Sequence, residues 1–426
     1  MTSVPALPGA LACQKNSALR ELQTRVYAIS ALAEPKGSYE MELEDTVLFP
    51  EGGGQPWDTG KINGSVTVDR VYVKNGHCVH RVVTPDGAPP FAKGDTVTVS
   101  VDWDRRFDHM QQHSGQHLLS AVCEKYGYDT TTWSLGEERC NIELVPFSSD
   151  ASTKKSKEKL MPGDILRQIE ADVNAAIVSG KSMLPKLVSE GEPEWEPIAS
   201  KFPEGERPAA LRIVVIDGLD SNPCCGTHVQ NIAQLQSLRL LNVEFARGAT
   251  RVWFVVGERV NREFARMFQR EQQLTKLLSC APDEHASRVE KLQQAQRATL
   301  KEVKALHKEV AVAIATELLQ KRESEKLNVV HYHRSDADVS FLQNVLSSIA
   351  DDRQSTVFVL SAGNVKGEGS FVLAGPHELV AQHGKNVIEL IDGKGGGGKN
   401  GVLQGKAKRL EGMAQMIARL EELYVH

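Results

Sequence analysis

Residues 109–117 read HMQQHSGQH, with His109, His113 and His117 four residues apart. On a helix each step of four turns a side chain about 40° past a full turn, so three such imidazoles share an arc of about 80°. Two imidazoles one turn apart can bind one zinc ion. His109 and His117 are separated by about 12 Å of helical rise and cannot share it. The pair is therefore His109 with His113, or His113 with His117. The other cluster of metal-ligating residues is CCGTH, residues 224–228, where Cys224 and His228 are spaced C-x3-H and Cys225 and His228 C-x2-H. Two imidazoles from the first stretch, with a thiolate and a third imidazole from the second, complete a tetrahedral zinc shell. Alone, an H-x3-H is more often a polar helix face, and CCGTH a turn. The second cluster tips the balance toward metal, but spacing leaves the histidine pair and the cysteine open. The glutamate of H-E-x-x-H is missing, because Ser114 follows His113, and this excludes the metallopeptidase pattern.

Two glycine-rich stretches also invite ligands. PEGGGQP, residues 50–56, reads as a tight turn whose backbone N–H groups can approach a bound molecule. DGKGGGGKNGVLQGKAK, from residue 392, mixes Lys394, Lys399, Lys406 and Lys408 with glycines and can meet phosphates locally.

These residues need elements to hold them. Residues 1–103 read as short alternating strands, with Asn75-Gly76 as a hairpin turn between SVTVDRVYV and HCVHRVV, and predict a small β-barrel. Asp104 is read as the N-cap and Gly127 as the stop of a helix that carries the three histidines. Residues 104–257 form the α+β metal-containing domain, with a helix from Gly163 and LRIVVI (211–216) as the strand feeding CCGTH. Residues 258–325 read as two helices in an antiparallel hairpin. In the second helix Val289, Leu292, Gln296, Thr299, Val303, Leu306, Val310 and Ala313 make a heptad seam, for a spacer or a homodimer contact. Residues 326–426 alternate strand and helix as a small α/β domain. The fold class is thus α+β with four domains.

The 426 residues carry a formal net charge of −5, which excludes a globally basic nucleic-acid binder and leaves only a local patch for phosphate. Seven scattered cysteines argue for a reducing compartment. The N-terminal stretch lacks the pattern of a secretory signal, and no run of about 18 apolar residues is present, so a cytoplasmic protein with no membrane span is expected.

HSGQH (113–117) followed about 110 residues later by CCGTH resembles the editing domain of alanyl-tRNA synthetases and of the freestanding AlaX proteins. LEDTVLFPEGGGQPWDTG (43–60) resembles a further family motif, departing from it at Leu48-Phe49, where an aromatic pair is usual. VEFARGATRV (243–252) matches a third at Gly248 and Arg251, and the late glycine-rich stretch resembles one in the C-terminal domain of alanyl-tRNA synthetases. The match spans nearly the whole chain, with the barrel in first place and no aminoacylation core before it, as in a long-form AlaX protein. The resemblance implies a Zn2+ site of His113, His117, Cys224 and His228, with His109 and Cys225 outside it. Cys225 is itself a departure, since glycine is more usual there. It also implies hydrolysis of the ester between a wrong amino acid, serine first and glycine second, and tRNA(Ala). A threonine after the zinc helix is implicated in reading serine, and TTTW (130–133) offers Thr132, then Thr131. Gly53, Gly54 and Gln55 become candidates for lining the aminoacyl site. Gly115 is read as making room for the terminal adenosine. The alternative is a catalytically silent tRNA-binding or chaperone-linked protein that keeps the fold.

Overall fold

The computed structural model describes residues 9–34, 37–84, 88–147, 161–200, 210–246, 248–397 and 399–425. The chain divides into two compact units, Met1–Glu271 and Gln272–His426.

The first unit opens with α1 (Ala12–Lys15) and six strands, β1 (Glu21–Ala31), β2 (Ser38–Leu43), β3 (Gly60–Ile62), β4 (Val66–Lys74), β5 (His77–Val83) and β6 (Thr96–Val101). They close a barrel in the order β1-β2-β5-β4-β3-β6. Asn75 and Gly76 both take positive φ and join β4 to β5, pairing Lys74 with His77, the geometry of a tight hairpin. The barrel interior is filled by Met41, Val47, Leu48, Phe49, Ile62, Val68, Val82 and Val99. Leu48 and Phe49, the departure from the family motif, are thus core residues.

The unit continues through α2 (Trp103–Lys125), β7 (Tyr128–Leu135), β8 (Cys140–Pro146), α3 (Gly163–Ser179), β9 (Met183–Ser189), α4 (Trp195–Ala199), β10 (Ala210–Ile216), β11 (Asp220–Pro223), β12 (Leu238–Ala246), β13 (Ala249–Val256) and the first two thirds of α5 (Glu258–Leu278), within which the division falls. Two antiparallel sheets form, β12-β13-β8-β7 and β11-β10-β9. Leu118, Leu119 and Val122 of α2, Ile169, Val173 and Ile177 of α3, and Ile142, Val252 and Phe254 of the larger sheet share one core. The N-cap of α2 is Asp102, whose carboxylate accepts the Arg105 N–H, and not Asp104, which sits in the first turn. Asp102 is the last residue before helical backbone, so its side chain reaches the free N–H groups.

The second unit holds α6 (His285–Glu325), β14 (Val329–Arg334), α7 (Val339–Ser348), β15 (Val357–Gly363), β16 (Gly369–Ala374), α8 (His377–Ile388), β17 (Gly393–Gly397), β18 (Val402–Ala407) and α9 (Met413–Val425). Its sheet runs β14-β15-β16-β18-β17, with only the β14–β15 pair parallel. One core joins Ala311, Ala315 and Leu318 of α6 to α7, and another joins α8 and α9. The late glycine-rich stretch forms two paired strands, β17 at the sheet edge and β18 beside it: a Cβ at Gly405 would fall 2.1 Å from the Lys394 carbonyl across the ladder. The heptad residues Val289, Leu292, Val303, Leu306 and Val310 of α6 are exposed, and α6 is instead anchored through its last third. No helix among the described residues is long and apolar enough to cross a membrane.

Candidate metal centre

Helix α2 is fixed to the barrel at its first turns. Arg106, fully buried, pairs with the Asp58 carboxylate and donates to the carbonyls of Ser17 (3.2 Å) and Val47 (2.5 Å). Asp58 also accepts the Phe49 N–H at 2.6 Å, so the turn containing PEGGGQP and the helix are tied to one carboxylate. This sets the azimuth of α2, and His113 and His117 then point to the loop after β11, which carries Cys224 and His228.

The ligand atoms of His113, His117, Cys224 and His228 all lie within 4.8 Å of one another, and among the described residues no other group of three or more potential ligands is so gathered. Cys224 Sγ is 3.5 Å from His113 Nε2 and 3.2 Å from His228 Nε2. Tetrahedral zinc, with bonds of about 2.0–2.3 Å, separates its ligand atoms by about 3.3–3.7 Å. The ring centroids of His113 lie 5.2 Å from His117 and 4.4 Å from His228. Burial lowers the imidazoles of His113 and His228 well below the usual histidine range and His117 to about 4, so their lone pairs are free of protons at neutral pH. The same burial raises the Cys224 thiol to about 12, so its thiolate needs a cation beside it. Donor types, spacing and dryness all fit a zinc ion.

Surrounding groups fix the tautomers. His113 Nδ1 donates to Gln55 Oε1 (2.9 Å), which also accepts the Thr227 N–H (2.9 Å), while Gln55 Nε2 donates to Thr227 Oγ1 (2.8 Å). His113 Nε2 is left as the ligand atom. His228 Nδ1 pairs with Ser114 Oγ at 3.2 Å, and the Ser114 oxygen accepts the Val229 N–H at 3.1 Å. Gly226 is required by proximity, because a Cβ there would fall 2.3 Å from His113 Cε1.

His109 lies outside this group, buried, with Nδ1 unpartnered. Cys225 lies outside it too. Its thiol packs on the glycine-rich turn, where a Cβ at Gly53 would fall 2.8 Å from Cys225 Sγ. At Gly54, with φ of +76°, a Cβ would fall 2.4 Å from the Trp133 ring, whose centroid is 5.1 Å from that of His113. The turn thus covers the tryptophan that flanks the candidate ligands.

The packing at Gly115 corrects one expectation, and the register of β7 bears on another. Gly115 leaves no space for a ligand: a Cβ there would fall 2.5 Å from Val256 Cγ2, so the residue faces β13 on the far side of α2. A bulge at Thr131 shifts the register of β7, pairing Thr130 with Leu144, Thr132 with Glu143 and Trp133 with Ile142. Thr130 and Trp133 share the face of buried Leu144 and Ile142, toward α2, and Thr132 is exposed on the other. Thr131 donates to the Glu143 carbonyl (3.2 Å), whereas Thr130 Oγ1 meets Ser120 Oγ of α2 at 2.8 Å, and Ser120 Oγ accepts from Gln116 Nε2 at 3.0 Å.

The chain is 36% identical to the rat protein named "Alanyl-tRNA editing protein Aarsd1", over 97% of this chain and 98% of that one. The chain belongs to the alanyl-tRNA editing protein family. A yeast member, a putative alanyl-tRNA editing protein alaX from Saccharomyces cerevisiae, is 29% identical over 93% of this chain and 92% of its own. The alanine–tRNA ligase of Pyrococcus abyssi is 27% identical over 89% of this chain but only 41% of the ligase. Residues 211–262 match the threonyl and alanyl tRNA synthetase second additional domain, which here spans β10, the CCGTH loop, β12, β13 and the start of α5.

In this editing-family chain Lys394 and Lys406 face each other across β17 and β18 and, with Lys408, line a cleft of about 530 Å3 that also includes Glu368 and Asp392. The Lys399 side chain lies outside the described residues. Sequence reasoning passed over Thr130, Trp133, Ser114 and Arg212. The one available signal was at Arg212, a single charge inside the apolar strand LRIVVI.

Proposed function

We propose that this chain is a trans-editing hydrolase that cleaves serine, and secondarily glycine, from mischarged tRNA(Ala), with zinc held by His113, His117, Cys224 and His228. The carrying observation is the convergence of those four ligand atoms in a family whose members bear the name of alanyl-tRNA editing proteins. With four protein ligands, bound zinc supplies a fixed positive centre that positions the substrate's 3′ end, without an open position for hydroxide. Gln55 keeps His113 in the ligating tautomer, and Gly53 and Gly54 carry the turn that lines the site beside Trp133. An aminoacyl ester is already activated, so holding it and a water in register provides most of the acceleration.

Selection between serine and alanine falls to Thr130 in this reading, in place of Thr132 and Thr131. Its hydroxyl sits in a hydrogen-bonded chain with Ser120 and Gln116 on the face of β7 toward α2. A serine hydroxyl joins that chain, and an alanine methyl leaves a polar group unpaired. Lys394, Lys406 and Lys408, with Lys399, are assigned to tRNA phosphates, and the cytoplasm, reducing and rich in tRNA, is the proposed location. Stripping the metal, then restoring zinc, tests the reading: Ser-tRNA(Ala) hydrolysis is expected to vanish and return. Undiminished hydrolysis by fully metal-free protein would rule out the zinc assignment.

A further inference from the structure

Arg212 stands within β10 and is 5% exposed. Its Nη1 donates to the Cys224 carbonyl, and its Nη2 to the carbonyls of Gln14 and Gly226, each at 3.0 Å. Its Nε is buried without a hydrogen-bond partner. Among the described residues, the ionisable groups beside the guanidinium are the thiols of Cys224, Cys225 and Cys13 and the imidazoles of His113, His117 and His228, and no carboxylate is among them. Dehydrating a guanidinium is costly, and a buried one is ordinarily matched by a carboxylate. Here the fork is spent on backbone carbonyls of the loop that carries two of the four ligands.

Gln14 completes the arrangement from the other side. Its Nε2 donates to the Cys225 carbonyl at 2.9 Å, while its own carbonyl accepts from Arg212. Three successive carbonyls, of Cys224, Cys225 and Gly226, are therefore all held by the Arg212–Gln14 pair. With those carbonyls fixed, the Gly226 N–H turns to Cys224 Sγ at 3.4 Å. The segment before α1 passes over the arginine: Gly9 has φ of +87°, and a Cβ there would fall 3.1 Å from Arg212 Cδ.

We infer that Arg212 is the positioning residue of the metal loop, holding residues 224–226, together with Gln14, so that Cys224 and His228 stand at ligand spacing before the metal arrives. This rests on the zinc reading above. A lysine keeps the charge but lacks the planar fork that spans two carbonyls, so charge and geometry are separable.

The test uses the full chain as parent, Arg212→Lys, Arg212→Gln and Gln14→Met. Zinc release to a chromogenic chelator gives a rate, and cobalt(II) in place of zinc reports tetrahedral geometry through its visible absorption. Melting with and without metal gives the stabilisation that the metal confers. Zinc release is expected to accelerate about 10–100-fold in Arg212→Gln, the range for lost supports of metal ligands, and by smaller factors in Arg212→Lys and Gln14→Met. The cobalt bands weaken and the metal-induced rise in melting temperature shrinks. A residue that only supports the fold would lower both melting temperatures equally. Parent-like release and cobalt spectra in Arg212→Lys and Gln14→Met overturn the inference, even if Arg212→Gln fails to fold. A parent that takes up neither zinc nor cobalt overturns the zinc reading and the inference together.

Discussion

Thr130 and Thr132 are two residues apart, yet the bulge at Thr131 puts them on opposite faces of β7. Only Thr130 reaches the Ser120–Gln116 chain. Thr130→Val is therefore expected to lower kcat/KM for Ser-tRNA(Ala) about 10–100-fold, equivalent to about 1.4–2.7 kcal/mol, with zinc content unchanged. Thr132→Val should stay within about twofold of the parent. Steady-state deacylation with both variants checks this, and the reverse ranking would return the role to Thr132. The sequence reading favoured Thr132 because alternation along a strand assumes an unbroken ladder, and a bulge leaves no mark in TTTW. The two clusters were legible from local spacing, but the choice of His113, His117, Cys224 and His228 as the proposed ligands came from the family resemblance, because spacing alone left His109 and Cys225 open. Gln55 was legible as part of its motif, but not as the partner of His113, which lies 58 residues away.

At the scale of elements, α2 packs so closely on β13 that Gly115 and Val256 share one space. Alanine in a helix gains about 1 kcal/mol over glycine, whereas overpacking a core costs about 1–3 kcal/mol. Gly115→Ala should therefore destabilise the first unit by about 1 kcal/mol. In a Val256→Ala background the same change should become stabilising, and urea unfolding of the four proteins measures the reversal. The barrel holds its own titratable group. His80 is fully buried, with Nδ1 donating to the Met41 carbonyl (3.2 Å) and Nε2 accepting from Thr46 Oγ1 (2.8 Å). Burial lowers its pKa from 6.5 to about 4. Between those values the unfolded chain binds a proton that the folded chain refuses. Stability is therefore unaffected above pH 6.5 and falls as pH drops toward 4, by up to about 3 kcal/mol. His80→Leu should flatten that slope while lowering stability at pH 7, as denaturant titrations at pH 7, 5.5 and 4.5 would record. The elements themselves were largely legible: the Asn75-Gly76 hairpin and the helix from Gly163 follow from local pattern. The late strands β17 and β18 were not, because glycine reads as loop until a neighbouring backbone is seen to need the space.

For the whole molecule, the pattern of strands and helices read from the sequence gives four segments, while contacts divide the chain into Met1–Glu271 and Gln272–His426. The difference arises in part because Arg106 is buried against Asp58 and the carbonyls of Ser17 and Val47, so the barrel and the layer that carries the candidate ligands share one body. All four proposed ligands lie in that first unit. A strong chelator should therefore lower one calorimetric transition and leave a second, from the Gln272–His426 unit, in place; a shift of both by the same amount would contradict this. The central claim is that the first unit removes serine from tRNA(Ala) at a zinc site, and it is tested most directly by paired deacylation. Purified protein is given Ser-tRNA(Ala) and Ala-tRNA(Ala) side by side, with His117→Ala as control. The account predicts rapid loss of serine, retention of alanine, and no hydrolysis of either by His117→Ala. Equal hydrolysis of both substrates, hydrolysis of neither, or full activity in His117→Ala would contradict it.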